Sequence, residues 1–317
     1  MKNLSVAGLL AGLTVAASSA HAQGVEQVHG SDTLFDVVTT AINQAGLDSV
    51  LHYIGGGSGT GEAGLVNGTQ GIAPMSRQLT AAAIGNLVNQ GISPIQNVIG
   101  LDGVSLFVSS TNPTPSLTFD TIRAIYLCQI TDWASVPGST ITGTIAVYAR
   151  NGASGTTDTF KTLIGGLPAT TVDANGVSQA NWNNNGSNPP VTCVNEVATT
   201  EEIASHTANE PLAIGFAGLS AGRLCTDPGT PCNAKPAIAR TDTSTPVAPS
   251  QDTIRDFSYP LARRLYVNQI SQDGGDRNPN ANEQALLDAM LDRGFLDPIL
   301  TQFEFVTCPS AADGGCP

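Results

Sequence analysis

Short apolar segments alternate along the chain with amphipathic segments of helical period. Residues 25–28, 50–54 and 72–75 are predicted strands, and residues 34–42 and 80–90 between and after them are predicted helices. Further strands are predicted at 98–101, 104–108, 145–148, 212–216 and 265–267, and further helices at 63–66, 118–125, 154–164 and 282–290. Strands that alternate with helices favour an α/β fold with mostly parallel sheets flanked by helices.

Two segments lack this alternation. Residues 170–190 are rich in Asn, Gly and Ser, and residues 226–249 are rich in Pro and Thr. Both compositions are typical of irregular surface loops.

The first 22 residues have the pattern of a secretory signal peptide. Lys2 precedes a short apolar run at residues 6–17, and Ala20, His21 and Ala22 form a cleavage site of the A-x-A type. We therefore expect a periplasmic or secreted protein after cleavage near Ala22. The residue directly after that site is Gln23 and not a cysteine, so we do not expect a lipoprotein.

The charge balance narrows the class of partner. The chain has 317 residues, with 13 Lys and Arg against 26 Asp and Glu, and a net charge of −13. Nucleic-acid binding needs clustered basic residues, so it is not expected. No later apolar run reaches the ~18 residues of a membrane span, so membrane insertion is not expected either.

Six cysteines follow the predicted cleavage site, and an even number in an exported chain indicates three disulfides. Six cysteines allow 15 pairings. Proximity along the chain favours the pairs Cys225–Cys232, Cys308–Cys316 and Cys128–Cys193. A zinc site is a weak alternative, because no C-x2-C pair exists and the histidines are scattered.

Three turns share one design, in which Gly with Ser or Thr stands where a helix begins. They lie at residues 30–33, 57–60 and 154–156. The start of a helix offers unpaired N–H groups and a partial positive charge, so it can bind an anion. Ordinary helix capping by Ser and Thr is the alternative interpretation.

Arg150 gives the third turn a positive charge. It ends the predicted strand 145–148 and lies four residues before Ser154. An arginine fork can hold two oxygens of a tetrahedral anion at once. A surface or salt-bridge arginine is the alternative interpretation of Arg150. The second turn also matches a dinucleotide fingerprint, but no acidic residue follows at the required ~20-residue distance, so we expect no nucleotide cofactor.

The motifs and their order together resemble the phosphate-binding protein of bacterial phosphate ABC transporters. The resemblance covers roughly residues 28–267. The motifs are Gly30-Ser31-Asp32-Thr33-Leu34, Gly57-Ser58-Gly59-Thr60-Gly61, Ala73-Pro74-Met75-Ser76-Arg77, Leu101-Asp102-Gly103-Val104, Ile130-Thr131-Asp132-Trp133, Arg150 with Ser154-Gly155-Thr156, Ala213-Ile214-Gly215-Phe216 and Tyr259-Pro260-Leu261.

The resemblance implies a two-lobed periplasmic binding protein with the ligand cleft between the lobes. Residues 23–105 with 258–317 would form lobe I, and residues 106–257 would form lobe II, so that the chain crosses between lobes twice. Each lobe would hold a mixed, mostly parallel sheet flanked by helices. The lobes would close over the ligand by hinge motion. Inorganic phosphate, without a cofactor or metal, would be captured by a monomer for the membrane subunits of an ABC transporter.

The resemblance also implies the site residues. The phosphate-binding positions carried onto this sequence are Thr33, Leu34, Ser58, Ser76, Arg150, Ser154, Gly155 and Thr156.

Two positions depart from the family pattern. Some members have Asp where this chain has Ser76, to accept the ligand's proton, and some have Asp where it has Gly152, to steady the arginine. Asp102 is the candidate for the proton acceptor, because it follows a predicted strand at the cleft edge. A turn-forming Asp remains the alternative.

Phosphate capture has three alternatives. A secreted phosphatase would need a nucleophile with a base, or clustered metal ligands, and the sequence shows neither. The same fold could bind sulfate, molybdate or tungstate. A secreted adhesion or scavenging protein also stays open. We expect a binding protein and not an enzyme.

Overall fold

The structure is a computed structural model, and it describes residues 25–151, 154–168, 171–172, 178–179, 182, 191–222, 225–227 and 229–309. The predicted signal peptide, its cleavage site and Cys316 lie outside the described residues. Gly152, one of the two departures from the family pattern, lies outside them as well.

Strands and helices alternate through the described residues as the apolar pattern predicts. The strands are β1 (Glu26–Gly30), β2 (Leu51–Gly56), β3 (Ile72–Met75), β4 (Ser93–Ser109), β5 (Ser116–Thr118), β6 (Ala146–Arg150), β7 (Thr171–Val172), β8 (Ser178–Gln179), β9 (Val194–Val197), β10 (Ala213–Gly218), β11 (Asn233–Ala234), β12 (Ala237–Ala239) and β13 (Ala262–Ser271). The helices are α1 (Phe35–Gln44), α2 (Ser58–Asn67), α3 (Ala81–Asn89), α4 (Phe119–Tyr126), α5 (Gly155–Ile164), α6 (Thr200–Asn209), α7 (Gln251–Arg255), α8 (Ala281–Leu291) and α9 (Arg293–Gln302).

One sheet runs through the whole described fold, in the order β3-β13-β4-β10-β6-β9, with β11 added beside β4. Its long strand β4 pairs with β13 from Ser93 to Gly103 and with β10 from Val104 to Val108. The partner of β4 therefore changes between Gly103 and Val104. β1 and β2 form a separate parallel pair, and Ser31 N–H donates to Pro74 O at 2.9 Å, which places the end of β1 beside β3.

Strand direction differs from the mostly parallel arrangement that the sequence predicts. The pairings of β4 with β13, β10 and β11 are antiparallel, as is that of β13 with β3, whereas β6 pairs in parallel with β10 and β9.

The two strands predicted at 98–101 and 104–108 are one strand. Asp102 and Gly103 do not form a turn, because Asp102 pairs in register with Arg263 of β13. Gly103 lets Ile254 and Tyr259 pack closely, since a Cβ there would lie 2.8 Å from Ile254 Cδ1.

Two apolar cores define the two lobes. The first core packs α1, α8 and α9 against β1, β2 and the middle of β13. A smaller cluster around α2, α3 and β3 extends it. The second core packs α4 and α5 against β6, β10 and the C-terminal half of β4. We call these the first and second lobe, and β4 contributes to both.

The predicted helix starts are confirmed by their caps. The side-chain oxygens of Thr80, Thr118 and Ser154 accept hydrogen bonds from the backbone N–H groups three residues on. Elements that the sequence analysis did not predict include β5, β9, α6, α7 and α9. In α9 the apolar pattern is interrupted by Pro298, a residue that usually ends a helix.

The loop interpretation of residues 226–249 is wrong in part. β11 and β12 lie in that segment, and β12 pairs in parallel with β5. Of residues 170–190, only the antiparallel pair β7–β8 and the buried Trp182 are described.

Two predicted disulfides are confirmed. Cys128 is bonded to Cys193 across 65 residues, and Cys225 to Cys232 across 7. Cys308 is disulfide-bonded as well. Among the described residues, no helix has the length and apolar character of a membrane span.

The two disulfides should stabilise the fold unequally. The entropy of the unfolded chain predicts a loss of about 4 kcal/mol for Cys128→Ala with Cys193→Ala, and about 2 kcal/mol for Cys225→Ala with Cys232→Ala. Urea unfolding of the two variants and the parent measures both losses. Equal losses, or a larger loss for the shorter loop, would contradict the expectation.

Candidate functional site

Hydroxyl groups from both lobes meet where the lobes face each other. We call Ser31, Thr33, Ser58, Ser76 and Thr156 the hydroxyl cluster. Thr33 Oγ1 lies 2.9 Å from Thr156 Oγ1, Ser31 Oγ donates to Ser76 Oγ at 2.8 Å, and Ser58 Oγ lies 3.4 Å from Ser76 Oγ. Thr33 is half-buried and the other four are buried. A dense set of groups that can donate or accept hydrogen bonds suits a small polar ligand.

The first turn is held by contacts below it. Ser31 Oγ accepts a hydrogen bond from Thr33 N–H at 3.3 Å. Tyr53 OH donates to Ser31 O at 2.8 Å, and burial, together with the nearby charge of Asp32, raises the pKa of Tyr53. Leu34 N–H donates to Ser31 O at 3.0 Å, so this predicted site group is already used within the turn.

The second turn depends on a glycine backbone. Gly57 precedes α2 with φ of 94°, in the left-handed region that favours glycine, and α2 begins at Ser58. Ser76 N–H donates to Ser58 Oγ at 3.1 Å. The side chain of Ser58 is thereby fixed against the end of β3.

The third turn brings the second lobe against the first. Ser154 Oγ accepts from Thr157 N–H at 3.2 Å, which caps α5. A Cβ on Gly155 would lie 2.6 Å from Ser58 Cβ and 2.8 Å from Ser76 Oγ. Only glycine therefore fits at this contact. The three predicted turns do converge in the fold.

A buried ion pair that the sequence did not single out borders the hydroxyl cluster. The Nε and Nη2 atoms of Arg263 donate to Asp102 Oδ2 at 2.9 and 2.5 Å. Its Nη1 donates to Thr156 Oγ1 at 3.0 Å, and its Nη2 to Thr33 Oγ1 at 3.3 Å. Arg263 is 4% exposed and Asp102 is 2% exposed.

Arg263 was missed because the predicted strand 265–267 begins three residues too late. β13 begins at Ala262, directly after the Tyr259-Pro260-Leu261 motif, and includes Arg263. The chain has only 13 Lys and Arg, so a basic residue next to a predicted strand is unusual. That signal could have identified Arg263.

The carboxylate of Asp102, the predicted proton acceptor, already has partners in this structure. Its Oδ2 is taken by Arg263, and its Oδ1 accepts from Leu219 N–H at 3.3 Å. The carboxylate is one contact removed from the cluster, because Arg263 lies between it and the threonines. The structure therefore gives Asp102 the role of holding Arg263.

Arg150 lies beside the cluster, at the edge of the cleft. Its Nη2 pairs with Asp32 Oδ2 of the first lobe at 2.9 Å, and its Nη1 donates to Thr200 Oγ1 at 3.2 Å. Its Nε is buried and has no hydrogen-bond partner among the described residues. The Nε–H group of this guanidinium is thus unused among the described residues. The cavity here, about 430 Å³, is also lined by Asp36 and Glu201.

Arg77, the residue after Ser76, also joins the lobes through ion pairs. Arg77 Nε pairs with Asp158 of α5 at 2.9 Å, and its Nη1 with Glu62 of α2 at 2.8 Å. Burial acts to lower the pKa of Arg77, but the charges of Glu62 and Asp158 outweigh it and raise the pKa. Arg77 therefore has a structural role, because it ties α5 to α2. Among the described residues, no three His, Cys, Asp or Glu side chains cluster as metal ligands would.

The two-lobed α/β fold is that of a solute-binding protein. The family model described as the PBP superfamily domain matches residues 15–285. The chain belongs to this superfamily.

Individual relatives are distant. The Phosphate-binding protein PstS of Pseudomonas aeruginosa is 22% identical over 252 residues, which cover 75% of this chain and 70% of that protein. An ABC-type phosphate transport receptor from Vibrio cholerae has a TM-score of 0.63 at 22% identity, and covers 89% of this chain and 99% of its own. A human phosphate binding apolipoprotein has a TM-score of 0.66 at 15% identity, with 92% of each chain covered. These structures share the two-lobed α/β fold.

The contact at Gly155 can be tested by adding one methyl group. Gly155→Ala should force the lobes apart, because a Cβ there meets Ser58 and Ser76. Hydrogen exchange should then speed up at Ser76 N–H, whose acceptor is Ser58 Oγ. Exchange is measured on peptides that cover residues 74–78 and 154–158.

Gly85→Ala is the matched control. Gly85 lies on the exposed face of α3 with nothing within 4 Å of an added Cβ, so alanine should leave the exchange unchanged and stabilise the helix by up to about 1 kcal/mol. Unchanged exchange in Gly155→Ala would show that the lobes do not meet at this contact.

Proposed function

We propose that this protein is an exported solute-binding protein that captures inorganic phosphate in its interlobe cleft for uptake by an ABC transporter. The observation that carries the proposal is the meeting of three helix-start turns, with their hydroxyl groups, around the buried Arg263. The superfamily, and relatives named as phosphate-binding proteins, support phosphate as the ligand.

The proposed ligand groups come from both lobes. Thr33, Ser58 and Ser76 donate from the first lobe, and Ser154 and Thr156 from the second. The unpaired N–H groups at the start of α5, including that of Gly155, add the partial positive charge of a helix terminus. The N–H group of Leu34 donates to Ser31 O in this structure, and we propose that it donates to the ligand instead when phosphate is bound. These residues belong to the set that the sequence predicts, which also contains Arg150 and Asp102.

The ligand's proton needs an acceptor, and Asp102 is held by Arg263. We propose that the hydroxyl oxygen of Ser76 accepts the hydrogen bond from the protonated phosphate oxygen, because a serine oxygen can accept as well as donate. Arg150 adds charge through its unused Nε at the edge of the cleft.

Ligand entry requires the lobes to separate. Thr33 Oγ1 and Thr156 Oγ1 are in direct hydrogen-bond contact at 2.9 Å, so a tetrahedral anion reaches them only if they part. We propose hinge motion between lobe I, residues 23–105 with 258–317, and lobe II, residues 106–257. The partner change of β4 at Gly103 and the nearby segment 253–259 are the proposed crossings. Export to the periplasm accounts for the signal-like N-terminus, and we propose that the protein acts there as a monomer.

Calorimetric titration of ligand-stripped protein tests the function. Phosphate should bind with micromolar or tighter affinity, because five or more buried hydrogen bonds to a charged ligand are worth ~1.5–3 kcal/mol each before ordering costs. Ser58→Ala should weaken binding about tenfold, since it removes one neutral donor.

The rival functions give different results in the same experiment. Tighter binding of sulfate or molybdate than of phosphate would assign the cleft to another oxyanion. Absence of binding by all three would leave an adhesion role. Hydrolysis of an aryl phosphate that Ser58→Ala or Ser154→Ala abolishes would make the protein an enzyme.

Arg150 and Asp32 should respond in opposite directions. Arg150→Gln should weaken phosphate binding about tenfold or more, because it removes a cation from the cleft edge. Asp32→Asn should leave binding unchanged or strengthen it, because it frees Arg150 from a competing carboxylate and removes a repelling charge. Titrations of the two variants provide the comparison. If both substitutions weaken binding equally, the ion pair acts only as a latch between the lobes.

A further inference from the structure

We propose that Arg263 is a positioning residue, which orients the hydroxyl groups of Thr33 and Thr156 so that both donate to the bound anion. The proposal rests on the proposed function, because the anion is the phosphate assigned to the cleft.

The geometry places one guanidinium behind two ligand groups from opposite lobes. Arg263 Nη1 lies 3.0 Å from Thr156 Oγ1, and Nη2 lies 3.3 Å from Thr33 Oγ1. Both threonines belong to turns at helix starts, whereas Arg263 comes from β13 in the sheet between them. One side chain therefore serves both halves of the site.

The direction of these hydrogen bonds is fixed by chemistry. A guanidinium carries only donors, so each threonine oxygen accepts from Arg263. A hydroxyl group has a single proton, which must then point away from the arginine. In the closed cleft, one of the two protons goes to the other threonine across 2.9 Å. An anion between the threonines would receive both protons without any change at Arg263.

The arginine itself is held rigidly. Asp102 lies opposite Arg263 in the register of β4 and β13, and takes its Nε and Nη2. Leu219 N–H binds the other carboxylate oxygen of Asp102. A Cβ on Gly218 would lie 3.1 Å from Asp102 Oδ2 and 3.4 Å from Arg263 Nη2, so the backbone of β10 covers the pair closely. Asp102 acts on the ligand only through Arg263.

The other arginines near the cleft are committed elsewhere. Arg77 pairs with Glu62 and Asp158, and Arg150 pairs with Asp32 and donates to Thr200. Neither contacts Thr33 or Thr156 among the described hydrogen bonds. Orientation of these two hydroxyl groups therefore falls to Arg263.

The test compares phosphate affinity in variants that keep the buried pair neutral. Asp102→Asn with Arg263→Met removes both charges and every donor of the guanidinium, and Asn keeps an acceptor for Leu219 N–H. This pair variant should bind phosphate at least about thirtyfold more weakly than the parent. Thermal unfolding checks that it is folded.

Arg264→Gln is the matched control, because Arg264 is the next residue of β13 and lies over the ring of Phe257 at 5.0 Å. Its affinity should stay within about threefold of the parent.

A second background separates positioning from a purely structural role. In protein with Thr33→Val and Thr156→Val, the same pair variant should lose less than about threefold, because the groups that Arg263 orients are already absent. A thirtyfold loss in the valine background as well would show that Arg263 does not act through the threonines, and would overturn the proposal. An unchanged affinity of the pair variant in the parent background would overturn it too, and would leave the proposed function standing. Failure of the parent to bind phosphate would overturn both.

Discussion

The ion pair between Arg263 and Asp102 is the interaction on which the site depends. Removing two charges from water costs several kcal/mol per ion, so such a pair survives burial only with good geometry and further hydrogen bonds. Here the two residues face each other across β4 and β13, and the remaining donors and acceptors go to Thr33, Thr156 and Leu219. The pair lies at the point where β4 leaves β13 for β10. The strand that joins the lobes and the groups that face the ligand are thus fixed by one contact.

Carboxylates outnumber arginines around the site. The chain carries a net charge of −13, and the cleft edge has Asp32, Asp36 and Glu201 close to Arg150. The long-range field therefore repels an anion. Short-range donors must outweigh it, and hydroxyl groups with fixed direction do so because they act at hydrogen-bond distance in a buried place. The arginines near the site are each balanced by carboxylates, which limits the desolvation cost of a closed cleft.

Much of the local structure could be predicted from the sequence, because it depends on near neighbours. Helical spacing of apolar residues identified α1, and the hydroxyl caps identified the starts of α3, α4 and α5. The three site turns were predicted because Gly followed or preceded by Ser or Thr indicates the start of a helix from neighbouring residues alone. The resemblance to a known family supplied the idea that these distant turns meet.

Long-range pairing could not be predicted in the same way. The sequence Asp102-Gly103 is typical of a turn. Arg263, which is 161 residues away, nevertheless pairs with Asp102 and keeps this segment within a continuous strand. The same partner donates to the carboxylate that was predicted as the proton acceptor. Arg150 was assigned to the ligand from its spacing to Ser154, whereas its partner Asp32 comes from the other lobe. Each of these differences arises from a contact between chain segments that no local pattern contains.

The most direct measurement is a crystal structure of the protein grown with phosphate. The account predicts a phosphate ion between Thr33 and Thr156, within hydrogen-bond distance of both Oγ1 atoms and of Ser58, with Arg263 still paired to Asp102. A phosphate bound elsewhere, or bound directly by an Arg263 that has left Asp102, would contradict it.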